Sequence, residues 1–318
     1  MSDPDLLVLR RGTHGRSTDS YAEHLRERLP DYDVRLARTP AQERRLIAGA
    51  TAVTGTHLSE ELLAEAGAIE LFACLYAGVG HLSLPAFEER DIAVTNAAGV
   101  HAPNVAEYVV GAVLAFARGL HVGWERSRRG EWRHYRTREL QGSTVTVVGL
   151  GNIGRGVVDR LAGFGVETVG VRHTPAKGGP TDELLGFDDD LHDAYARTDY
   201  LVLACPLTET TRGLIDRDVF ETLPPEAVLV NVARGAVVDT DALVAAIRRN
   251  RVRGAALDVT DPEPLPGDHP LWSFGNVLVT PHNAGDTPAY YDRAAEIVAG
   301  NVRAVVEGSA DDLRNRVV

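Results

Sequence analysis

The chain has 318 residues, with 33 basic side chains against 45 acidic ones and a formal net charge of −12. That length suits two domains better than one small module, and 44% hydrophobic with 25% charged residues excludes wholesale disorder. The acid excess excludes a nucleic-acid backbone or an anionic membrane as a bulk partner, since both need a basic face.

Lys177 is the only lysine; every other long cationic side chain is arginine. An acid-rich, lysine-poor surface is expected of a protein working in a salt-rich, halophilic cytosol, where carboxylates hold hydration and salt screens their repulsion. A GC-biased genome leaves the same trace, and both origins stay open. Cys74 and Cys205 each sit in an apolar, strand-like run, so they read as buried, reduced thiols in a cytoplasmic protein. The start, Met1-Ser2-Asp3-Pro4-Asp5, is acidic where a signal peptide is basic, and Leu6–Leu9 is a short apolar run. Nothing approaches the ~18 consecutive apolar residues of a membrane span, so a soluble protein is expected.

Short β-like runs alternate with amphipathic helical stretches along the whole chain, the pattern of parallel-sheet α/β architecture. Strands are expected at Leu6–Leu9, Val34–Ala37, Ala52–Thr54, Leu71–Leu75 and Ala93–Thr95, with helices at Tyr21–Leu29 and Glu60–Ala66 between them. A long helix is expected from Val105 to Leu120, with Val109, Val113 and Phe116 on one face. A second series of strands follows at Thr144–Val148, Thr168–Val171, Leu201–Ala204, Val228–Val232, Ala255–Val259 and Val277–Val279, and a last helix at Thr287–Val306. The run Asp188-Asp189-Asp190 reads as a solvated loop leading into a helix N-terminus. The fold class expected is α/β, with two doubly wound parallel-sheet domains.

The sharpest local motif is Gly149-Leu150-Gly151-Asn152-Ile153-Gly154, following a strand and opening a helix. In this Gly-x-Gly-x-x-Gly spacing Gly149 permits a tight turn and Gly151 a close backbone approach to a pyrophosphate. Gly154 lets helix and strand pack, and the first N–H groups of the helix, from Asn152 and Ile153 on, face the phosphates. Cofactor choice is read at the end of the next strand, roughly twenty residues on, where an acid accepts the ribose 2′-hydroxyl of NAD. Here Arg172-His173-Thr174 stands there, with Lys177 after it. A planar cation in place of the acid suits a 2′-phosphate, so NADP is expected over NAD, with dual use open. The plainer alternative is a surface arginine on a turn.

Three ionisable residues follow three successive strands: Arg234 in Asn231–Gly235, Glu263 in Asp258–Pro264, and His282 in Thr280–Gly285. In an open parallel sheet the carboxyl ends of the strands face the crevice where ligands bind, so residues distant in sequence converge there. An arginine binds a carboxylate bidentately. A histidine held by a carboxylate has one orientation and tautomer, as proton transfer requires. Beside a nicotinamide, this trio is what reducing a 2-oxo acid needs. Individually each has a plainer reading: Arg234 as a helix cap or partner of Asp239, Glu263 as a loop acid, His282 as a ring satisfying a backbone carbonyl.

With these motifs in this order, the sequence resembles the D-isomer-specific 2-hydroxyacid dehydrogenases, a family that includes glyoxylate/hydroxypyruvate reductases and phosphoglycerate dehydrogenases. The match is most specific from Gly142 to Gly285, takes in Cys205-Pro206-Leu207-Thr208-Glu209-Thr210-Thr211, and extends upstream through Val94-Thr95-Asn96 and Val105-Ala106-Glu107. The resemblance implies a Rossmann cofactor domain (99–286) inserted in a flavodoxin-like substrate domain (1–98 plus 287–318). It implies Arg234 as substrate anchor, His282 as acid/base paired with Glu263, and Asp258 at the nicotinamide carboxamide. Further cofactor contacts are implied at Cys205, Pro206, Thr211, Val232, Ala233, His282 and Gly285. The backbone N–H groups of Tyr76-Ala77-Gly78-Val79 are implied as holders of the substrate carboxylate, with no metal. Gly80 and Ala98 depart from the family's frequent Asp and Pro. The expected partners are a small anionic 2-oxo or 2-hydroxy acid and a second copy, the homodimer forming through the cofactor domain with Trp132 near the contact. Tyr76, His101, Trp132, Tyr135 and Trp272 are candidates for the side-chain pocket. A dinucleotide-sensing binding protein and a formate-type dehydrogenase are the alternatives on this fold.

Overall fold

In a computed structural model, residues 3–309 and 312–318 are described; Met1 and Ser2 of the acidic start, with Ala310 and Asp311, lie outside them. The chain divides into two units: residues up to His101 with those from Asp286 on, and Ala102–Gly285. The breaks expected after residues 98 and 286 stand against these positions.

The first unit is built from β1 (Leu6–Val8), α1 (Thr18–Arg28), β2 (Val34–Leu36), α2 (Pro40–Ile47), β3 (Ala52–Gly55), α3 (Glu60–Ala64), β4 (Leu71–Cys74), α4 (Leu84–Glu88) and β5 (Ala93–Thr95). All five strands pair in parallel, in the order β2-β1-β3-β4-β5, the doubly wound flavodoxin-like order. Every residue of β1, β3 and β4 is buried, because helices cover both faces of a parallel sheet and leave no solvated side. That explains why the strands read as unbroken apolar runs instead of alternating.

The second unit opens with α5 (Ala102–Ala117) and α6 (Leu120–Arg128), then β6 (Thr144–Val148), α7 (Asn152–Leu161), β7 (Glu167–Val171), β8 (Glu183–Leu185), α8 (His192–Ala196) and β9 (Tyr200–Leu203). It continues with α9 (Arg217–Thr222), β10 (Val228–Asn231), α10 (Thr240–Arg248), β11 (Gly254–Leu257) and β12 (Val277–Val279). Its seven strands run β12-β11-β10-β9-β6-β7-β8 and every pair is parallel. Counted from β6 this is the Rossmann order with one strand added at the far edge. Val105, Val109, Val113 and Phe116 of α5 lie in one buried cluster with Val157, Val158 and Leu161 of α7 and with Val145 and Val147 of β6. The last helix, α11 (Tyr290–Val306), belongs to the first unit, where Ala294, Val298 and Val302 pack with Leu6, Val8 and Tyr21.

Three expectations about elements are corrected. The helix expected through Leu120 breaks at Gly119, whose φ of +61° is left-handed, and α6 leaves at an angle of 71°. Helix α11 starts at Tyr290 rather than Thr287, since Pro288 keeps the residue before it out of helical geometry. Strand β8 was not expected at all. It is a three-residue edge strand, clipped on by the Arg197–Glu183 ion pair and by Asp182, whose carboxylate accepts from Thr168 N and Oγ1. Among the described residues no single helix is long and apolar enough to cross a membrane.

Candidate functional site

The turn after β6 is shaped by what glycine lacks. Gly149 has φ +99°, and a Cβ there would lie 2.6 Å from the Cys205 backbone. At Gly154 a Cβ would lie 1.9 Å from the Gly149 carbonyl oxygen, so helix and strand can approach only with hydrogen at that position. Gly151 faces open space. It also starts α7 with no side-chain cap, whereas Ser17, Thr39, Ser59, Asp216 and Asp239 cap their own helices. The first N–H groups of α7 are thus left for an incoming anion.

That turn forms one wall of a cleft of about 510 Å³, which Gly149, Gly151, Arg172, His173, Thr174, Lys177, Cys205, Pro206 and Thr211 all line. Leu150, Phe187, Ala204, Thr208 and Thr210 complete it, and among the described residues no carboxylate lines it. The shape and donor set fit a dinucleotide. Thr211 is fixed by donating its Oγ1 proton to the Pro206 carbonyl at 2.6 Å, and its oxygen accepts from Thr208 N at 2.8 Å. Burial pushes the Cys205 thiol up to about 11, so this cysteine fills space as a neutral group. Asn152, Ile153 and Gly154 lie in the first turn of α7, outside the lining.

The second cluster lies at the carboxyl ends of the neighbouring strands β10, β11 and β12. Arg234 follows β10, exposed, with Nη1 donating to the Ala233 carbonyl at 2.6 Å. Asp239 instead caps α10 through Ala242 N at 3.0 Å, so the alternative pairing of Arg234 with Asp239 is not what forms. Val232 and Ala233 are buried beneath. Gly235 lets this turn touch the loop carrying Glu263: a Cβ on it would sit 2.0 Å from the Thr260 carbonyl. From that loop Glu263 Oε1 lies 3.1 Å from His282 Nδ1, with both side chains about half exposed.

His282 has a left-handed backbone, φ +52°, which costs a non-glycine residue about 1–2 kcal/mol. Its surroundings impose that conformation. His282 N donates to the Asp258 carbonyl at 2.8 Å, and the buried Asp258 carboxylate accepts from Asn283 N, Ala284 N and Thr280 Oγ1 at 2.8, 3.0 and 2.6 Å. Since the Thr280 hydroxyl donates to Asp258, Tyr108 on α5 donates to Thr280, at 2.7 Å. Desolvation holds the Tyr108 phenol above its ordinary range, so it remains a donor. Asp258 therefore anchors the histidine turn, with three of about four acceptor positions of its carboxylate filled. Nothing in the sequence pattern pointed to Tyr108 or Thr280; their role exists only through the strand order. Gly285 closes this unit.

The remaining candidates fall in both units, Tyr76 to Val79 and His101 in the first, Trp132, Tyr135 and Trp272 in the second. Tyr76, Ala77 and Gly78 form an exposed loop after β4 in the first unit, with Val79 half-buried; Tyr76 N is turned to Cys74 Sγ at 3.4 Å. Tyr76 meets the His81 ring edge-on, and His101 packs against His14 and Tyr290. Trp272 donates its indole N–H to the Pro266 carbonyl. Only Trp132 and Tyr135 line a common groove, of about 640 Å³, where the Arg126 guanidinium lies over the Tyr135 ring.

Fold and glycine turn together define a dinucleotide-binding α/β protein, and comparison with known proteins narrows the class. The family model for the D-isomer specific 2-hydroxyacid dehydrogenase NAD binding domain matches residues 110–284. The human glyoxylate reductase/hydroxypyruvate reductase is 32% identical over 282 residues, 85% of each chain. The D-3-phosphoglycerate dehydrogenase of Methanocaldococcus jannaschii is 33% identical over 90% of this chain, which spans only about half (52%) of that relative. A D-isomer specific 2-hydroxyacid dehydrogenase from Xanthobacter autotrophicus Py2, solved with NADPH and MES, superposes with a TM-score of 0.79 at 29% identity, covering 99% of this chain and 98% of that one. The chain belongs to the D-isomer specific 2-hydroxyacid dehydrogenase family.

Proposed function

We propose that the chain is an NADP-preferring reductase of small 2-oxo acids, yielding D-2-hydroxy acids. The observation that carries this reading is the Glu263–His282 pair at 3.1 Å, at the sheet edge that also holds Arg234. The Arg234 guanidinium takes the substrate carboxylate through two parallel N–H bonds. Glu263 holds Nδ1 of His282, so Nε2 is the atom that gives a proton to the substrate oxygen in reduction and takes it back in oxidation. A bound nicotinamide supplies the hydride. In the first unit, the loop expected to hold a carboxylate has Tyr76 N turned to Cys74 Sγ, which leaves it the N–H groups of Ala77, Gly78 and Val79.

Preference for NADP is supported by a lining that contains Arg172, His173 and Lys177 and no acid, and it accords with the NADPH carried by the Xanthobacter relative. For the proposed homodimer, the support is Trp124 and the fully exposed Trp132 on and after α6, an aromatic surface of the kind that contacts between copies cover. Two free, buried cysteines suit a reducing, cytoplasmic setting.

The assay is NADPH oxidation with glyoxylate, hydroxypyruvate, pyruvate and bulkier 2-oxo acids, repeated with NADH and across salt concentration, then NADP reduction with formate. Turnover with at least one 2-oxo acid is expected. Turnover only with formate overturns the reading in favour of a formate-type enzyme, and binding without any turnover in favour of a dinucleotide sensor.

A further inference from the structure

Resting on the proposed NADP preference, we propose that Arg155 supplies a second guanidinium to the 2′-phosphate site and shares with Arg172 the discrimination between NADP and NAD. Arg155 follows Gly154 in α7, and its Nη2 donates to the Gly178 carbonyl at 3.1 Å. Arg172, at the end of β7, donates through Nη1 to that same oxygen. Two guanidinium groups from different elements thus meet at one carbonyl, and Lys177 immediately precedes it in a short 3-10 turn. Gly178 has φ +64°, a conformation glycine adopts freely and other residues rarely.

Like charges brought together repel unless an anion lies between them. Eleven other arginines are in ion pairs with carboxylates. Among the described residues neither Arg155, Arg172 nor Lys177 is in one, although acids outnumber bases by 45 to 33. A neutral carbonyl has two lone pairs and no charge to offset two cations. A phosphate dianion has the charge and the oxygens to take both forks. The Gly178 carbonyl therefore holds the two guanidiniums in place until a 2′-phosphate replaces it as acceptor. A ribose 2′-hydroxyl offers no such charge. Arg155 bears no sequence signal for cofactor choice, because its position in the helix after the glycine motif carries no rule for it.

The test is calorimetric titration of the full chain with 2′,5′-ADP and with 5′-AMP, which differ at the 2′-phosphate and need no catalytic turnover. Loss of a charge-assisted contact in Arg155→Gln is expected to weaken 2′,5′-ADP about tenfold and leave 5′-AMP unchanged within about twofold. Arg155→Lys, which keeps the charge, is expected to recover part of the difference. If Arg155→Gln weakens both ligands equally, or neither, Arg155 only clips the turn and the inference is overturned. Should the wild type fail to discriminate between the two ligands, the NADP reading and this inference fall together. Discrimination undiminished in Arg155→Gln overturns this inference alone, and a failure of every 2-oxo acid in the assay above leaves the titration intact.

Discussion

The glycine turn after β6 and the loops after β10, β11 and β12 occupy the same edge of one sheet, yet they are specified in different ways. Six consecutive residues, Gly149 to Gly154, settle the turn through short-range sterics: a left-handed φ at one end and a contact of helix on strand at the other. The loops hold nothing comparable. Glu263 and His282 are 19 residues apart and meet because β11 and β12 are neighbours, and the histidine's strained backbone is held by a carboxylate from the previous strand. A local motif is legible one residue at a time; a constellation needs the topology first.

The largest effect that can break this comparison is expected at His282. Asn tolerates a left-handed backbone, so His282→Asn leaves the turn in place while removing the proton carrier. Turnover should fall by about 10²–10⁴-fold, with 2′,5′-ADP binding by calorimetry unchanged. A variant that keeps near-native turnover would end the proposed role. A smaller effect is expected at Gly154→Ala, where the new methyl meets the Gly149 carbonyl. Overpacking of this kind costs about 1–3 kcal/mol, read as a lower urea midpoint together with weaker 2′,5′-ADP binding. Binding and midpoint both at wild-type values would show that the turn is not specified by local sterics.

The smallest effect is expected at Thr280→Val, which removes one donor from Asp258 and strands the Tyr108 hydroxyl. Losing such a bond costs about 1 kcal/mol, visible in the urea midpoint, and turnover should drop less than in His282→Asn. A turnover loss as large as that of His282→Asn would mean that the long-range network, and not the histidine alone, limits the chemistry.

Much of the fold was legible because parallel strands covered on both faces read as apolar runs; β5 and β6 fall at their expected limits. Strand β8 escaped because Glu183-Leu184-Leu185 has no β-branched residue, unlike Val277-Leu278-Val279 at the other edge, and it stays on the sheet through Arg197 and Asp182, side chains from other parts of the chain. The helix break at Gly119 was written in the sequence but outweighed by the apolar face that runs up to it. In the site, nine of the fourteen cleft residues were nameable beforehand because each belongs to a contiguous motif. Arg155, Tyr108 and Thr280 were not, since their partners at Gly178 and Asp258 are distant in sequence and belong to no shared motif.

By itself the sequence determined the α/β class, the glycine turn and the residue types available at the strand ends, because these depend on hydrophobic pattern and on steric limits acting over a few residues. Only the tertiary structure decided that Glu263 faces His282, that Asp258 holds the turn between them and that two arginines share one carbonyl. Hydrogen bonds reach about 3 Å, and which groups come within that reach is set by the order of strands in the sheet.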